Sequence, residues 1–190
     1  MNCPSCGRPI AFEEKYSKIV CCWYCNTILE FWKWELTKLW EQSEFIEFPS
    51  LFEVGKQVSW EWQEVYVKGQ LRYEYDWGFF DVFFVIINGK EYYIQEDDGS
   101  YTLLADTHWQ ASDAHIVDAP IWEHIDILWK NIFVQETWLL KLVAIKWFIN
   151  NTLIPGKEYE YLDGVVDGHM IYFYKEKWVN SIRFSSQVTL

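Results

Sequence analysis

Short turns limit what this chain can fold into. Asn88-Gly89 separates a solid apolar run, Phe79 to Ile87, from Lys90 to Ile94. Asn-Gly supplies the positive φ values of a two-residue hairpin turn and is the strongest local hairpin signal. Asp97-Asp98-Gly99-Ser100 is a second turn, and Asp163-Gly164 and Asp167-Gly168 carry the same chemistry. Side chains alternate between these points, as in Val58 to Gln63, Val65 to Lys68 and Leu71 to Tyr75, with Gly69 as punctuation. Phe79 to Ile87 reads as a strand buried on both faces. Asp106 to Pro120 reads as a long loop. Thr137 to Ile149 is long enough that a buried helix competes with a strand. Strand after short strand predicts an all-β domain over 51–190, an antiparallel β-sandwich or partly open barrel. An aromatic content of 20% suits such a body. Gly-Lys-Glu-Tyr occurs at Gly89–Tyr92 and again at Gly156–Tyr159, which raises the question of two related halves.

Ahead of that body, Cys3-Pro-Ser-Cys6 and Cys22-Trp-Tyr-Cys25 form two C-x2-C knuckles separated by 15 residues. Two such pairs put four thiolates within tetrahedral reach of one zinc ion. Gly7 and Asn26 follow the knuckles, where the turn needs residues that tolerate the left-handed region. Residues 1–29 are therefore expected to form a zinc ribbon with a structural zinc, one per chain, held by Cys3, Cys6, Cys22 and Cys25. Cys21 reads as a spectator, with a register exchange against Cys22 as its alternative. Residues 30–50 read as a short linker. Trp32, Leu36, Leu39 and Trp40 give it helical spacing, and Pro49 ends any helix.

Charge narrows the function classes. Lys plus Arg is 16 and Asp plus Glu is 28, a formal net charge of −12. The acid lies in the body: residues 41–190 carry 24 acidic and 11 basic side chains. Strong nucleic-acid binding is not expected, because phosphate contacts need clustered cations. No apolar stretch approaches the roughly 20 residues of a membrane-spanning helix. The N-terminal residues do not resemble a secretory signal. The expected location is the cytoplasm, where paired cysteines bind metal more readily than they oxidise.

Other candidate chemistry is diffuse. The segment 106–126 holds Asp106, His108, Asp113, His115, Asp118, Glu123, His124 and Asp126 without a helical metal-binding pair. An enzyme using this acidic, histidine-bearing loop is one alternative reading. A nucleic-acid-associated zinc ribbon is another. No P-loop and no G-x-S-x-G elbow is present. Trp60, Trp62, Tyr73 and Tyr75 are candidate binding residues, since Trp and Tyr most often anchor interfaces. The leading reading is a non-enzymatic adaptor or binding module whose partner is another protein.

The residues also carry a family resemblance. An N-terminal double C-x2-C ribbon, a short linker and a glycine-punctuated aromatic β-domain resemble bacterial proteins that join a zinc ribbon to a domain of unknown function, family 4178. The matching stretch runs from Leu51-Phe52-Glu53-Val54-Gly55 through Gly69-Gln-Leu-Arg-Tyr-Glu-Tyr-Asp76 and Gly78-Phe-Phe-Asp81 to Gly99. The family pattern has a Glu where Val82 stands here. The resemblance implies a bacterial accessory protein working with other, often membrane-linked, gene products. It brings no settled activity.

Overall fold

The computed structural model describes residues 1–10, 18–33, 35–40, 43, 45–76, 78–106, 110–111, 115–150, 153–177 and 181–188. Fourteen strands and no helix are found among them. In chain order they are β1 (Ile19–Cys21), β2 (Ile28–Trp32), β3 (Glu35–Trp40), β4 (Gln57–Trp60), β5 (Gln63–Tyr75), β6 (Gly78–Ile87) and β7 (Lys90–Asp97). There follow β8 (Ser100–Asp106), β9 (Gln110–Ala111), β10 (His124–Ile127), β11 (Lys130–Ile149), β12 (Glu158–Val166), β13 (His169–Glu176) and β14 (Ser181–Gln187). No helix of the described residues is long and apolar enough to cross a membrane.

The body is all-β, as the turn pattern predicts, but it is a closed barrel, neither a sandwich nor partly open. Two four-strand meanders, β5–β8 and β11–β14, join edge to edge. β14 pairs with β8 (Ser185↔Asp106), and β11 pairs with β5 from Lys141↔Glu74 to Trp147↔Gly69. Closure leaves eight strands with no free edge in the ring. Asn88-Gly89, Asp98-Gly99 and Asp167-Gly168 form the two-residue turns expected of them, with positive φ throughout.

The expected linker helix is absent. β2 crosses the anticipated ribbon boundary and pairs with β3 in a hairpin. Its register runs Ile28↔Trp40 and then Leu29↔Lys38, so Leu39 is the extra residue of a bulge. Leu36 packs with Leu29 beside the cysteines, and Leu39 with Ile28 on the barrel core, so the helix-like spacing comes from a hairpin that packs on both faces. The 137–149 segment is strand, part of the 20-residue β11. Gly69 ends nothing: β5 runs through it, with a register shift between Val67 and Gly69. A Cβ there would lie 2.1 Å from the Phe148 carbonyl oxygen, so only glycine lets β11 approach. Asp163-Gly164 likewise lies inside β12, not in a turn.

Both faces of the barrel wall are buried. Inward-facing Leu71, Tyr73, Val82, Phe84, Leu140, Leu142, Tyr159 and Tyr161 fill the barrel. The outer face of the first meander (Val65, Val67, Phe83, Val85, Ile94, Leu103) is covered by Phe52 and Val54. That of the second (Ile132, Val134, Leu162, Ile171, Phe173) is covered by Ile116 and its flanking segment. Phe83 and Phe84 are thus fully buried on opposite faces, as the run in β6 predicts. Each such side chain stabilises the fold by about 1.5–3 kcal/mol.

The two Gly-Lys-Glu-Tyr copies are not equivalent. Gly89 closes a hairpin, whereas Gly156 sits in a turn where it donates to Leu142 O and Leu142 donates to Lys157 O. The matching site is Gly55: it donates to Val67 O, and Val67 donates to Lys56 O.

A buried ion pair holds the segment before β4 against the barrel. Arg72 donates from Nε to Asp81 Oδ1 (2.8 Å) and from Nη2 to Asp81 Oδ2 (2.6 Å). Gln70 Nε2 donates to the same carboxylate, and Arg72 Nη1 donates to the Ile46 carbonyl. Phe45, Phe48 and Phe79 surround the guanidinium at 4.4, 4.9 and 4.3 Å. Removing one partner of such a pair leaves an uncompensated buried charge. Arg72→Ala is therefore expected to cost about 3–5 kcal/mol in denaturant unfolding. Arg72→Met combined with Asp81→Leu should recover most of that loss; a double variant as weak as the single one would contradict this account.

Candidate metal centre

Each knuckle is built by its own backbone. In the first, Gly7 N donates to Cys3 O and Cys3 N to Arg8 O, and Asn2 bridges Pro9. In the second, Asn26 N donates to Cys22 O and Cys22 N to Thr27 O. Gly7 (φ 74°) and Asn26 (φ 55°) both take the left-handed conformation expected of them. The β1–β2 hairpin presents the second knuckle, and Ile10, Val20, Leu29 and Phe148 pack around the buried Cys3 and Cys22.

The four sulfurs converge. The Sγ atoms of Cys3, Cys6, Cys22 and Cys25 all lie within 4.8 Å of one another, an arrangement that could hold a metal ion. Cys3–Cys25 and Cys6–Cys22 are each 3.8 Å apart. Cys21 stands outside the set. It is buried, its thiol donates to Asn26 O at 3.8 Å, and burial pushes it up to about 11. The second knuckle begins at Cys22, and no register exchange occurs.

Electrostatics prepare the sulfurs unequally. Burial pushes the Cys22 thiol up to about 12, although the Tyr24 and Cys25 N–H groups donate to it. Burial also opposes ionisation of Cys25. There, hydrogen bonds from the Thr27 hydroxyl (3.2 Å), the Thr27 N–H and the Cys6 and Cys22 thiols prevail and bring it down to about 6. Such donors orient and tune metal ligands.

The knuckles are docked on the barrel. β1 pairs with the end of β11 (Ile19↔Ile149, Val20↔Phe148). Trp23, between the two cysteines of the second knuckle, lies 6.1 Å from Trp147 and edge-on to Phe148 at 6.4 Å. Ser43 ties the following segment down: its N–H donates to Asn26 O and its hydroxyl accepts from Ile145 N–H.

The other candidates separate in space. Trp60 is half-buried against Phe52 at 5.6 Å, while Trp62 is 99% exposed. These two do not share a strand face, because Glu61-Trp62 is a two-residue turn with φ of 50° and 64°. Tyr73 stacks on Phe80 inside the barrel at 5.4 Å, and Tyr75 lies against Trp138 at 5.4 Å near the barrel mouth. In the 106–126 segment, His108 and Asp113 lie outside the described residues. His115 approaches the buried Glu160 at 3.5 Å, His124 packs on Phe133, and Asp126 accepts from Asn131. Among the described residues, only the cysteines gather three or more potential ligands. Sequence reasoning missed the carboxylates Asp97, Glu136 and Asp163, which meet at the barrel mouth. Asp97 and Asp163 were hidden in apparent turn motifs.

Comparison with family models, curated proteins and solved structures found no match to this chain.

Metal analysis of the purified chain should find about one equivalent, lost on Cys22→Ser and kept on Cys21→Ser. Occupancy should fall as pH drops, because protons compete for the thiolates. Metal retained in Cys22→Ser, or lost in Cys21→Ser alone, would refute this ligand set.

Proposed function

We propose that this chain is a non-enzymatic binding module whose N-terminal zinc ribbon is structural. The sulfur geometry carries this reading. Zinc binds thiolate at about 2.3 Å, and a tetrahedron of that size has edges of about 3.8 Å. Cys3–Cys25 and Cys6–Cys22 have that separation, and all four sulfurs lie within 4.8 Å of one another. Four protein thiolates close the coordination sphere, so no position is left for a water or a substrate, which is the mark of a structural zinc. Trp23, between two of the ligands, packs tilted on Trp147 and edge-on to Phe148, so a bound ion would staple knuckle to barrel.

The resemblance to bacterial ribbon proteins with a domain of family 4178 supports an accessory role in the bacterial cytoplasm, with a protein partner drawn from a set that includes membrane-linked proteins. Trp62 is the anchor for that partner. Its indole is almost wholly exposed on a two-residue turn and contributes little to the fold. Exposed Trp is the side chain most often found at the energetic centre of an interface.

The test is affinity capture with the zinc-loaded full chain and with Trp62→Ala. The variant should melt within about 0.5 kcal/mol of the parent, as surface substitutions do. It should lose the captured partner at least tenfold. Equal capture by both proteins would remove Trp62 as the anchor, and a turnover activity that depends on the metal would overturn the non-enzymatic reading.

A further inference from the structure

The end of the barrel away from the cysteines holds a cavity of about 200 Å³. Three carboxylates line it from three different strands: Asp97 at the end of β7, Glu136 on β11 and Asp163 on β12. Aromatic walls come from Tyr75, Trp138 and Tyr172. The described residues lining it include no Lys, Arg or His. Two of the acids are incompletely satisfied. Asp97 Oδ1 and Asp163 Oδ1 are buried with no hydrogen-bond partner. A buried, unpaired carboxylate oxygen is costly, and like charges beside it add to the cost. Glu136 stands directly across the ladder from Asp163.

We propose that this cavity binds a small organic cation bearing N–H donors, a primary ammonium or a guanidinium. Three features set that chemistry. Negative charge without a basic neighbour calls for a cation. Unpartnered acceptor oxygens call for donors, which a quaternary ammonium lacks. Aromatic faces beside the acids favour an organic cation over a hydrated metal ion. The acids also do not form a metal site: among the described residues, the cysteines are the only group of three or more His, Cys, Asp or Glu side chains placed to hold a metal ion. The site is independent of the zinc reading, since it shares no residue with the cysteine centre.

Titration supports the same picture. Burial, and then the charge of Glu136, push Asp163 up to about 7, and burial with Asp98 and Glu136 raises Asp97. The groups facing Asp163 are Glu136 from β11, Asp97 from β7, Tyr172 from β13 and its own neighbour Tyr161; all are neutral or anionic. A carboxyl whose folded pKa is raised holds its proton more tightly in the folded state, so ionising it opposes folding. Asp163→Asn should therefore raise the melting temperature at pH 8, where the parent carries the charge, with little effect at pH 4. A cation would bind the ionised form, so affinity should rise between pH 5.5 and 8.

Isothermal titration calorimetry of the full, zinc-loaded chain at pH 8 and low salt tests the proposal. The probes are n-butylammonium, arginine ethyl ester, tetramethylammonium and calcium. Binding of n-butylammonium or arginine ethyl ester is expected at submillimolar to millimolar concentration, with tetramethylammonium and calcium at least tenfold weaker. Glu136→Gln and Asp163→Asn should each weaken it at least tenfold, while Glu64→Gln, on an exposed position at the opposite end, should not. Tighter binding of calcium, equal binding of tetramethylammonium, no heat with any probe to 10 mM, or undiminished affinity in a folded Asp163→Asn would each overturn it. Zinc content measured on the same samples keeps a failure here distinct from a failure of the metal centre.

Discussion

The structure depends on one strand. β11 uses one edge for β12 and the other for β10 and then β5, and its last residues pair with β1. Without its pairing to β5 the two meanders would be an open sheet with exposed edges. Without its pairing to β1 the cysteine knuckles would be held to the body by the packing of Trp23 on Trp147 and Phe148 and by the hydrogen bonds of Ser43. A strand that changes partners along one edge must twist and step, and β11 does so through irregularities between Val134 and Glu136 and between Leu142 and Ala144. Trp147 adds a positive φ of 63° just before the switch to β1. Its ring then lies so close to Gly55 that a Cβ there would sit 2.5 Å from it. Bulges at barrel rims commonly redirect a strand in this way.

Much of this was legible from residue chemistry. Asn88-Gly89, Asp98-Gly99 and Asp167-Gly168 declared their turns because those residues tolerate positive φ. The 2–15–2 cysteine spacing pointed to the four cysteines that the fold brings together, with Gly7 and Asn26 closing the knuckles. What stayed hidden lacked a residue-type signal. Glu61-Trp62 and Leu128-Trp129 also adopt positive φ at hairpin turns, yet neither pair contains Gly or Asn. A β2–β3 hairpin that packs on both faces, Leu36 toward the cysteines and Leu39 toward the barrel, imitated helical spacing. Closure of the barrel was invisible because it joins β5 to β11 across some seventy residues of chain, and alternation alone cannot distinguish a closed ring from a sandwich. The acids at the mouth were hidden for the opposite reason: Asp163-Gly164 looks like a turn, but Gly164 serves instead to let β12 pack closely on Phe133.

β11 also sets the distance between the two sites. Phe148 packs with the cysteine centre and Glu136 lines the acidic cavity, twelve residues apart on the same strand. At about 3.3 Å per residue that is about 40 Å of extended backbone. The cysteine cluster therefore lies at one end of the barrel and the carboxylates at the other, with a packed interior of Leu and Tyr between them. On the proposed reading, a metal held by the four cysteines would fix the β1–β2 hairpin onto a barrel that is closed by its own ladder.

That division is testable by hydrogen exchange on the full chain, with and without a chelator. The account predicts that metal removal speeds exchange in β1, β2 and the Phe148–Ile149 end of β11, while the amides of β6 and β7 keep their protection. Unchanged protection in β1 and β2, or simultaneous loss of protection throughout the barrel, would contradict it.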